Sequence, residues 1–148
     1  MQPMFQALYS PDDTLSALAG GHMPPSNATS RNVVWHLRVS DVRLHANDTR
    51  FYTNLLNGLN AAAAAAGVSL AHFVVYGDKD IPDRTSDQPP PGFEFLRALI
   101  PGAVYLSSSR PEVDLHRMCS ADVLVGSGSS FPIMAATVGP QRLAYIEE

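Results

Sequence analysis

Apolar segments of strand length alternate with helical segments along most of this chain. The strand-like runs are NVVWHLRV, HFVVY, AVYL, DVLVG and RLAYIE, rich in Val, Leu and aromatic residues. The longest helical segment between them is NDTRFYTNLLNGLNAAAAAAG, and the last is SFPIMAATVG. Strands that alternate with helices form a parallel sheet covered on both faces. The sequence therefore predicts an α/β, Rossmann-like domain with a parallel sheet of about five strands and helices on both faces.

The alternation begins near Asn32, which suggests a boundary there. Residues 1–31 contain Pro, Gly and Ser without sustained periodicity, so we expect an irregular lead-in or the remnant of a preceding domain. Residues 32–148 are expected to form one domain. Within it, GDKDIPDRTSDQPPP is so rich in turn residues that we expect no regular element there.

Composition narrows the possible partners. The chain is 45% hydrophobic and 16% charged, as in folded globular proteins. Its formal net charge is -4, so we expect no nucleic-acid partner, and any bound anion must be held by local groups. No membrane segment or signal peptide is predicted in this sequence. The single cysteine, Cys119, lies in an amphipathic segment and is expected to be a small core residue.

Ligands of open α/β sheets bind beyond the carboxyl ends of the strands, so the residues that follow each strand are the first candidates. The second strand is followed by Asp78, Lys79 and Asp80, and the third by three serines and Arg110. Cations and Ser/Gly loops at one edge are suited to binding phosphate. The Asp-Lys-Asp cluster could hold a cation or be a solvated loop.

The loop after the fourth strand reads Gly-Ser-Gly-Ser-Ser. Ser130 can cap a helix that begins at Phe131, while Gly126 and Gly128 allow a ligand to approach the backbone closely. Free amides at the start of the following helix would attract a phosphate group. A strand-to-helix turn can use the same residues without a ligand, and the loop fits neither common nucleotide-binding glycine motif. No GxSxG is present, so a serine hydrolase is not expected.

The end of the first strand carries His36 and Arg38. A guanidinium at this edge can bind two phosphate oxygens at once. Arg38 could instead pair with Asp41 or Asp114, and His36 could be a structural residue with a hydrogen-bonded ring. The sequence leaves these alternatives open.

Two segments together resemble a known family. WHLRVSD, residues 35–41, resembles the HxRxGD or HxRRxD motif of the GDP-fucose-dependent fucosyltransferase superfamily, which comprises the α1,2-, α1,6- and protein O-fucosyltransferases. DLHRMCSADVLVGSGSSF, residues 114–131, resembles that group's later D-[IL]-H segment with its paired serines. VVYGDKD is similar to the strand between them, and the likeness spans about residues 32–145.

The resemblance implies the nucleotide-sugar-binding, C-terminal half of a GT-B glycosyltransferase. Arg38 matches the catalytic arginine that contacts the donor's β-phosphate and stabilises the departing GDP. The other matches are donor-binding positions: the motif histidine, the acidic position after the second strand, the aspartate that reads the guanine edge and the two loop serines, which are His36, Asp78, Asp114, Ser129 and Ser130. The implied reaction is inverting transfer of fucose from GDP-fucose to a glycan or protein acceptor, with no cofactor or metal.

The chain departs from the family pattern in several places. Val39 stands at a second arginine, Ser40 at a Gly or Thr, and Gly77 at a Thr or Ser. No acceptor-binding domain is recognisable in this sequence, so a non-catalytic nucleotide-binding module or an inactive fragment is the alternative. A third hypothesis is a phosphatase or receiver-like domain that uses Asp78 and Asp80 with Mg²⁺. Eukaryotic members of this family act in the Golgi or ER lumen, but no subcellular location is predicted from this sequence.

Overall fold

The computed structural model describes residues 28–37, 49–77, 84–126, 130–139 and 143–146. Strands and helices alternate through these ranges. In chain order they are β1 (Ser30–Leu37), α1 (Thr49–Ala66), β2 (Ser69–Gly77), β3 (Arg84–Ser86), α2 (Leu96–Leu99), β4 (Val104–Ser108), α3 (Pro111–Cys119), β5 (Val123–Gly126), α4 (Ser130–Val138) and β6 (Leu143–Ile146).

The strands form one mixed sheet in the order β3-β4-β2-β1-β5-β6. β1 pairs in parallel with β2 and β5, β2 with β4, and β5 with β6. The five predicted strands are therefore the five parallel strands, which confirms the α/β, Rossmann-like fold. The chain runs from β1 outward through β2 to β4 and then crosses back to β5, so the direction of winding changes between β1 and β5.

Alternate residues of the strands build a separate core on each face of the sheet. Trp35 of β1 lies in a core covered by α1 and α2, which contribute Leu56, Leu59 and Leu96. Val34, the preceding residue, lies in the core of the other face with side chains from α3 and α4. The expectation of helices on both faces is confirmed.

Helix ends follow the local signals in the sequence. α1 is followed by Gly67 at φ 68°, a left-handed conformation that glycine adopts without steric cost. α3 begins at Pro111 and has Glu112 and Asp114 in its first turn, where carboxylates complement the positive helix end. α4 begins at Ser130, one residue before the predicted start at Phe131.

The prediction that residues 77–91 contain no regular element was wrong. β2 extends through Gly77, and Arg84–Ser86 forms the antiparallel edge strand β3, with Arg84 opposite Ser107 of β4. An edge strand needs hydrogen-bond partners on one side only, so three residues between prolines suffice. Thr85 is β-branched and lies opposite Leu106, which favours this pairing.

Cys119 is a buried residue of the α3 and α4 core, as predicted. Burial raises the pKa of its thiol to about 11, so the reactive thiolate is scarce at neutral pH. Within the described ranges, none of the helices is long and apolar enough to cross a membrane.

The sheet carries one hydrogen bond that depends on the protonation state of a histidine. The indole Nε1–H of Trp35 donates to Nδ1 of His72 over 3.1 Å, from β1 to the neighbouring β2. Burial lowers the pKa of His72. The imidazolium form has no lone pair on Nδ1, so the bond requires the neutral ring.

We therefore expect acid to destabilise the fold partly through His72. Its pKa is lower in the folded protein than in the unfolded chain, so the unfolded chain binds more protons between the two values. The free energy of unfolding should fall as the pH drops below the ordinary histidine pKa, with the loss complete below the folded pKa. His72→Asn keeps an acceptor near the Nδ1 position without titrating, and should show a shallower loss. Urea unfolding followed by fluorescence of Trp35, the single tryptophan, measures both slopes, and equal slopes would contradict this role.

Candidate functional site

The carboxyl ends of the parallel strands bring together residues that are distant in the sequence. His36 of β1 lies opposite Gly126 of β5, and Gly77 of β2 lies opposite Ser108 of β4. Leu37, the last residue of β1, lies opposite Tyr76. The described strand parts of the two segments that carry the family resemblance thus lie side by side in β1 and β5, at the point where the winding of the sheet reverses. In open α/β sheets the ligand crevice lies outside this point.

His36 is a described member of the predicted site and lies near the carboxyl end of β1. Its side chain alternates with Trp35 and Leu37, so it projects on the face covered by α3 and α4. Only 8% of the residue is exposed. The structure therefore places His36 at the predicted edge, but on the inner side of the helix layer.

Asp114 lies in the first turn of α3 and is almost fully buried, with an exposed fraction of 4%. Its Oδ1 atom is 3.5 Å from Nη1 of Arg117, which is equally buried. Moving the two charges out of water costs roughly several kcal/mol per ion. A buried ion pair is therefore stable only when the attraction between the two charges offsets this cost. Asp114 thus has a cationic partner, Arg117, one helical turn away. The alternative pairing of Asp114 with Arg38 lies outside the described residues.

Asp114 and Ser108 leave no room for a side chain at Gly77. A Cβ atom on Gly77 would lie 2.5 Å from Oδ2 of Asp114 and would also meet the carbonyl oxygen of Ser108. The carboxylate therefore occupies the space that a side chain at this position would take. This packing gives a physical reason for glycine where the family pattern has Thr or Ser.

The turn between β4 and α3 is held by Ser108. Its Oγ accepts a hydrogen bond of 2.9 Å from the backbone N–H of Arg110. The Arg110 side chain donates from Nε to Glu112 over 2.9 Å in an exposed ion pair. A backbone hydrogen bond, followed by that of Arg110, lowers the pKa of Glu112. The guanidinium of Arg110 is thus paired with Glu112 in the first turn of α3. It lies at the carboxyl edge of the sheet, as the sequence predicted.

Several predicted site residues fall outside the described ranges. These are Arg38, Asp78 and Ser129, together with Asp80 of the receiver-like hypothesis. β5 ends at Gly126 and α4 begins at Ser130, and residues 127–129 between them lie outside the described ranges. Among the described residues, no group of three or more His, Cys, Asp or Glu side chains is arranged to hold a metal ion.

Sequence reasoning missed Arg117. Its spacing of three residues from Asp114 places both on one face of a helix, and that signal was available in DLHRMC. Comparison with known proteins adds no assignment, because no protein-family model, curated protein or solved structure matches the chain.

Proposed function

We propose that this chain binds a nucleoside diphosphate sugar at the carboxyl edge of β1 and β5, as the donor-binding domain of an inverting, GDP-fucose-dependent glycosyltransferase. One observation carries the proposal: His36 lies opposite Gly126, so β1, which precedes Arg38 in the sequence, and β5, which precedes the Gly-Ser segment, have neighbouring carboxyl ends at the winding switch. These are the two segments on which the family resemblance depends.

The loop and the helix after it supply the chemistry for a diphosphate. Gly126 ends β5, and the nine-residue helix α4 begins at Ser130. Small residues between a strand and a helix let backbone N–H groups approach phosphate oxygens, and the positive helix end favours the anion. Ser129 and Ser130 are proposed to donate hydrogen bonds to the same group.

Arg38 is proposed as the catalytic residue. In an inverting transfer the bond between the sugar and the diphosphate breaks, and negative charge grows on the leaving GDP. A guanidinium fixed beside the phosphate stabilises this charge more strongly in the transition state than in the ground state. Arginine can thereby supply the positive charge that other transferases take from a metal ion, so the proposed reaction needs no cofactor. The glycan or protein acceptor would be bound by a second domain or a partner chain.

A nucleotide-binding module without catalysis is the second candidate. Two described ionisable residues of the predicted site, His36 and Asp114, are only 8% and 4% exposed. A general base must reach the proton that it removes, and buried groups of this kind are better suited to holding a ligand than to activating an acceptor. Binding of GDP without release of GDP from GDP-fucose would favour this candidate.

Calorimetric titration with GDP, ADP and UDP, with and without Mg²⁺, tests the proposal. We expect selective binding of GDP that does not depend on Mg²⁺. Binding of all three nucleotides with equal affinity would contradict the proposed selectivity for the guanine base. A requirement for Mg²⁺ would instead favour the receiver-like hypothesis built on Asp78 and Asp80, and no binding at all would overturn nucleotide recognition.

A further inference from the structure

The side of α3 that points away from the sheet is buried. Leu115, Met118 and Cys119 of this helix belong to the core that α3 and α4 form with the sheet. At about 100° per residue, Val113 and Arg117 each lie about 200° around the helix from Leu115, so they project from the opposite side, which is the outward face of α3. A helix that packs on a sheet normally leaves this face exposed to water. Val113 and Arg117 are nevertheless only 3% and 4% exposed.

The described neighbours of α3 lie on its sheet side. Among the described elements, α3 packs mainly against α4 and against β1, β2 and β4. The three strands lie beneath the helix, and α4 contacts its core-facing side, where Sγ of Cys119 is 3.9 Å from the carbonyl oxygen of Ala135. Val113 belongs to neither of the two core clusters of the described ranges. These elements therefore do not account for the burial of the outward face.

The chain that precedes β1 enters the domain beside the end of α3. The backbone N–H of Asn32 donates to Oδ2 of Asp122 over 2.8 Å, and the carbonyl oxygen of Asn32 accepts from the N–H of Asp122 over 3.0 Å. Asp122 comes three residues after Cys119, the last residue of α3. Residues 1–27 are the longest run outside the described ranges. At about 3.3 Å per residue, a few of them suffice to follow a helix that is about 13 Å long.

The composition of residues 1–27 suits the outward face of α3. The valine on this face needs apolar neighbours, and the segment supplies them in MFQALY and TLSAL. A guanidinium carries five N–H donors and no acceptor, so a segment that covers Arg117 must bring acceptors. Residues 1–27 contain two adjacent carboxylates, Asp12 and Asp13, and no Lys or Arg. The next longest run outside the described ranges, residues 38–48, contains two arginines, which would repel Arg117.

We propose that residues 1–27 pack on the outward face of α3, with apolar side chains over Val113 and the carboxylates of Asp12 and Asp13 beside Arg117. The segment then belongs to the domain itself, where the sequence had suggested an irregular lead-in. A second copy of the chain is the competing occupant. The tethered segment is favoured because its attachment beside α3 gives it a high effective concentration there. This inference concerns packing and does not depend on nucleotide binding.

A nitroxide label at Ser16→Cys, read by NMR of the full ¹⁵N-labelled chain, tests the contact. Cys119 is buried, so the label attaches to the introduced thiol. The amide signals of residues 113–117 should lose most of their intensity and recover it when ascorbate reduces the nitroxide. Asn60→Cys is the matched control, because it places the label at an exposed position of α1, on the opposite face of the sheet. That label should leave the α3 signals unchanged.

A mixed sample separates the two occupants. Nitroxide-labelled chain without ¹⁵N is combined with ¹⁵N chain without nitroxide, so only contact between copies broadens the observed signals. No broadening in this sample, together with the loss at α3 within one chain, supports the inference. Broadening of α3 in the mixed sample would assign the outward face to a second copy and overturn the inference. Absence of broadening at α3 within one chain would overturn it as well.

The charge contact is tested in a mutant cycle. Asp12→Asn combined with Asp13→Asn should couple to Arg117→Met by about tenfold in the unfolding equilibrium constant, as groups in contact do. Asp87→Asn removes an exposed carboxylate just after β3, and its effect should add to that of Arg117→Met without coupling. Additive effects of the aspartate pair would contradict the inference. If Arg117→Met does not fold, the nitroxide experiment decides.

Discussion

Leu124→Asp is expected to unfold the protein. Leu124 lies in β5, the strand between β1 and β6, and its exposed fraction is 0%. It packs in the core beneath α3 and α4, among Leu115 and Met118. A carboxylate there would have neither water nor a group arranged to stabilise its charge, and the loss of the leucine side chain would leave a cavity. We expect a loss of at least about 4 kcal/mol, against a total of roughly 5–15 kcal/mol for a natural domain.

Circular dichroism during urea unfolding measures this loss. Two controls separate charge in the core from charge in general. Leu124→Met nearly conserves volume and should cost less than about 1.5 kcal/mol. Asn60→Asp adds the same charge at an exposed position of α1 and should change stability by no more than about 0.5 kcal/mol. A folded Leu124→Asp protein with a normal unfolding midpoint would show that β5 is not a buried central strand.

Arg38→Ala is expected to weaken GDP binding about 100-fold without unfolding the protein. The guanidinium is proposed to make charge-assisted hydrogen bonds to phosphate oxygens, and losing two such bonds corresponds to a change of this size. Arg38 directly follows Leu37, the last described residue of β1, and replacing its side chain with that of alanine leaves the backbone hydrogen-bonding groups in place. Calorimetry with GDP and a thermal unfolding curve give the two measurements.

Arg31→Ala is the matched control for this prediction. Arg31 carries the same charge at the amino-terminal end of the same strand, where it donates to the carbonyl of Ser30. Charges separated by more than about 10 Å are largely screened in ordinary buffers, so GDP affinity should not change. If Arg38→Ala instead lowers the unfolding temperature while the folded fraction binds GDP normally, then Arg38 is structural and the proposed site is wrong.

Much of the fold could be predicted from the sequence because the signals are local. The apolar runs around Trp35, Phe73, Tyr105 and Leu124 have strand length and are flanked by helical or turn-forming segments. β3 could not be predicted in this way. Its pairing depends on β4, which comes later in the chain, and its own three residues carry a weak propensity between prolines.

The candidate site was predictable only in part. His36 and Gly126 both lie at the carboxyl ends of predicted strands, which places them at the same edge of the sheet. The observed register then sets them opposite each other. The contact between Asp114 and Gly77 depends on how α3 packs on β2, which a pattern within one segment does not encode. Helical spacing would have paired Asp114 with Arg117, but burial of both charges follows only from tertiary packing.

An NMR titration of the ¹⁵N-labelled chain with GDP tests the central claim most directly, because it reports both binding and location. We predict that the backbone amide signals of Gly126, Gly128 and Leu37 shift in a saturable manner. Those of Ser69 and Val104, at the amino-terminal ends of β2 and β4, should stay in place. Saturable shifts confined to the opposite edge of the sheet, or no shifts at millimolar GDP, would contradict a nucleotide site at the carboxyl ends of β1 and β5.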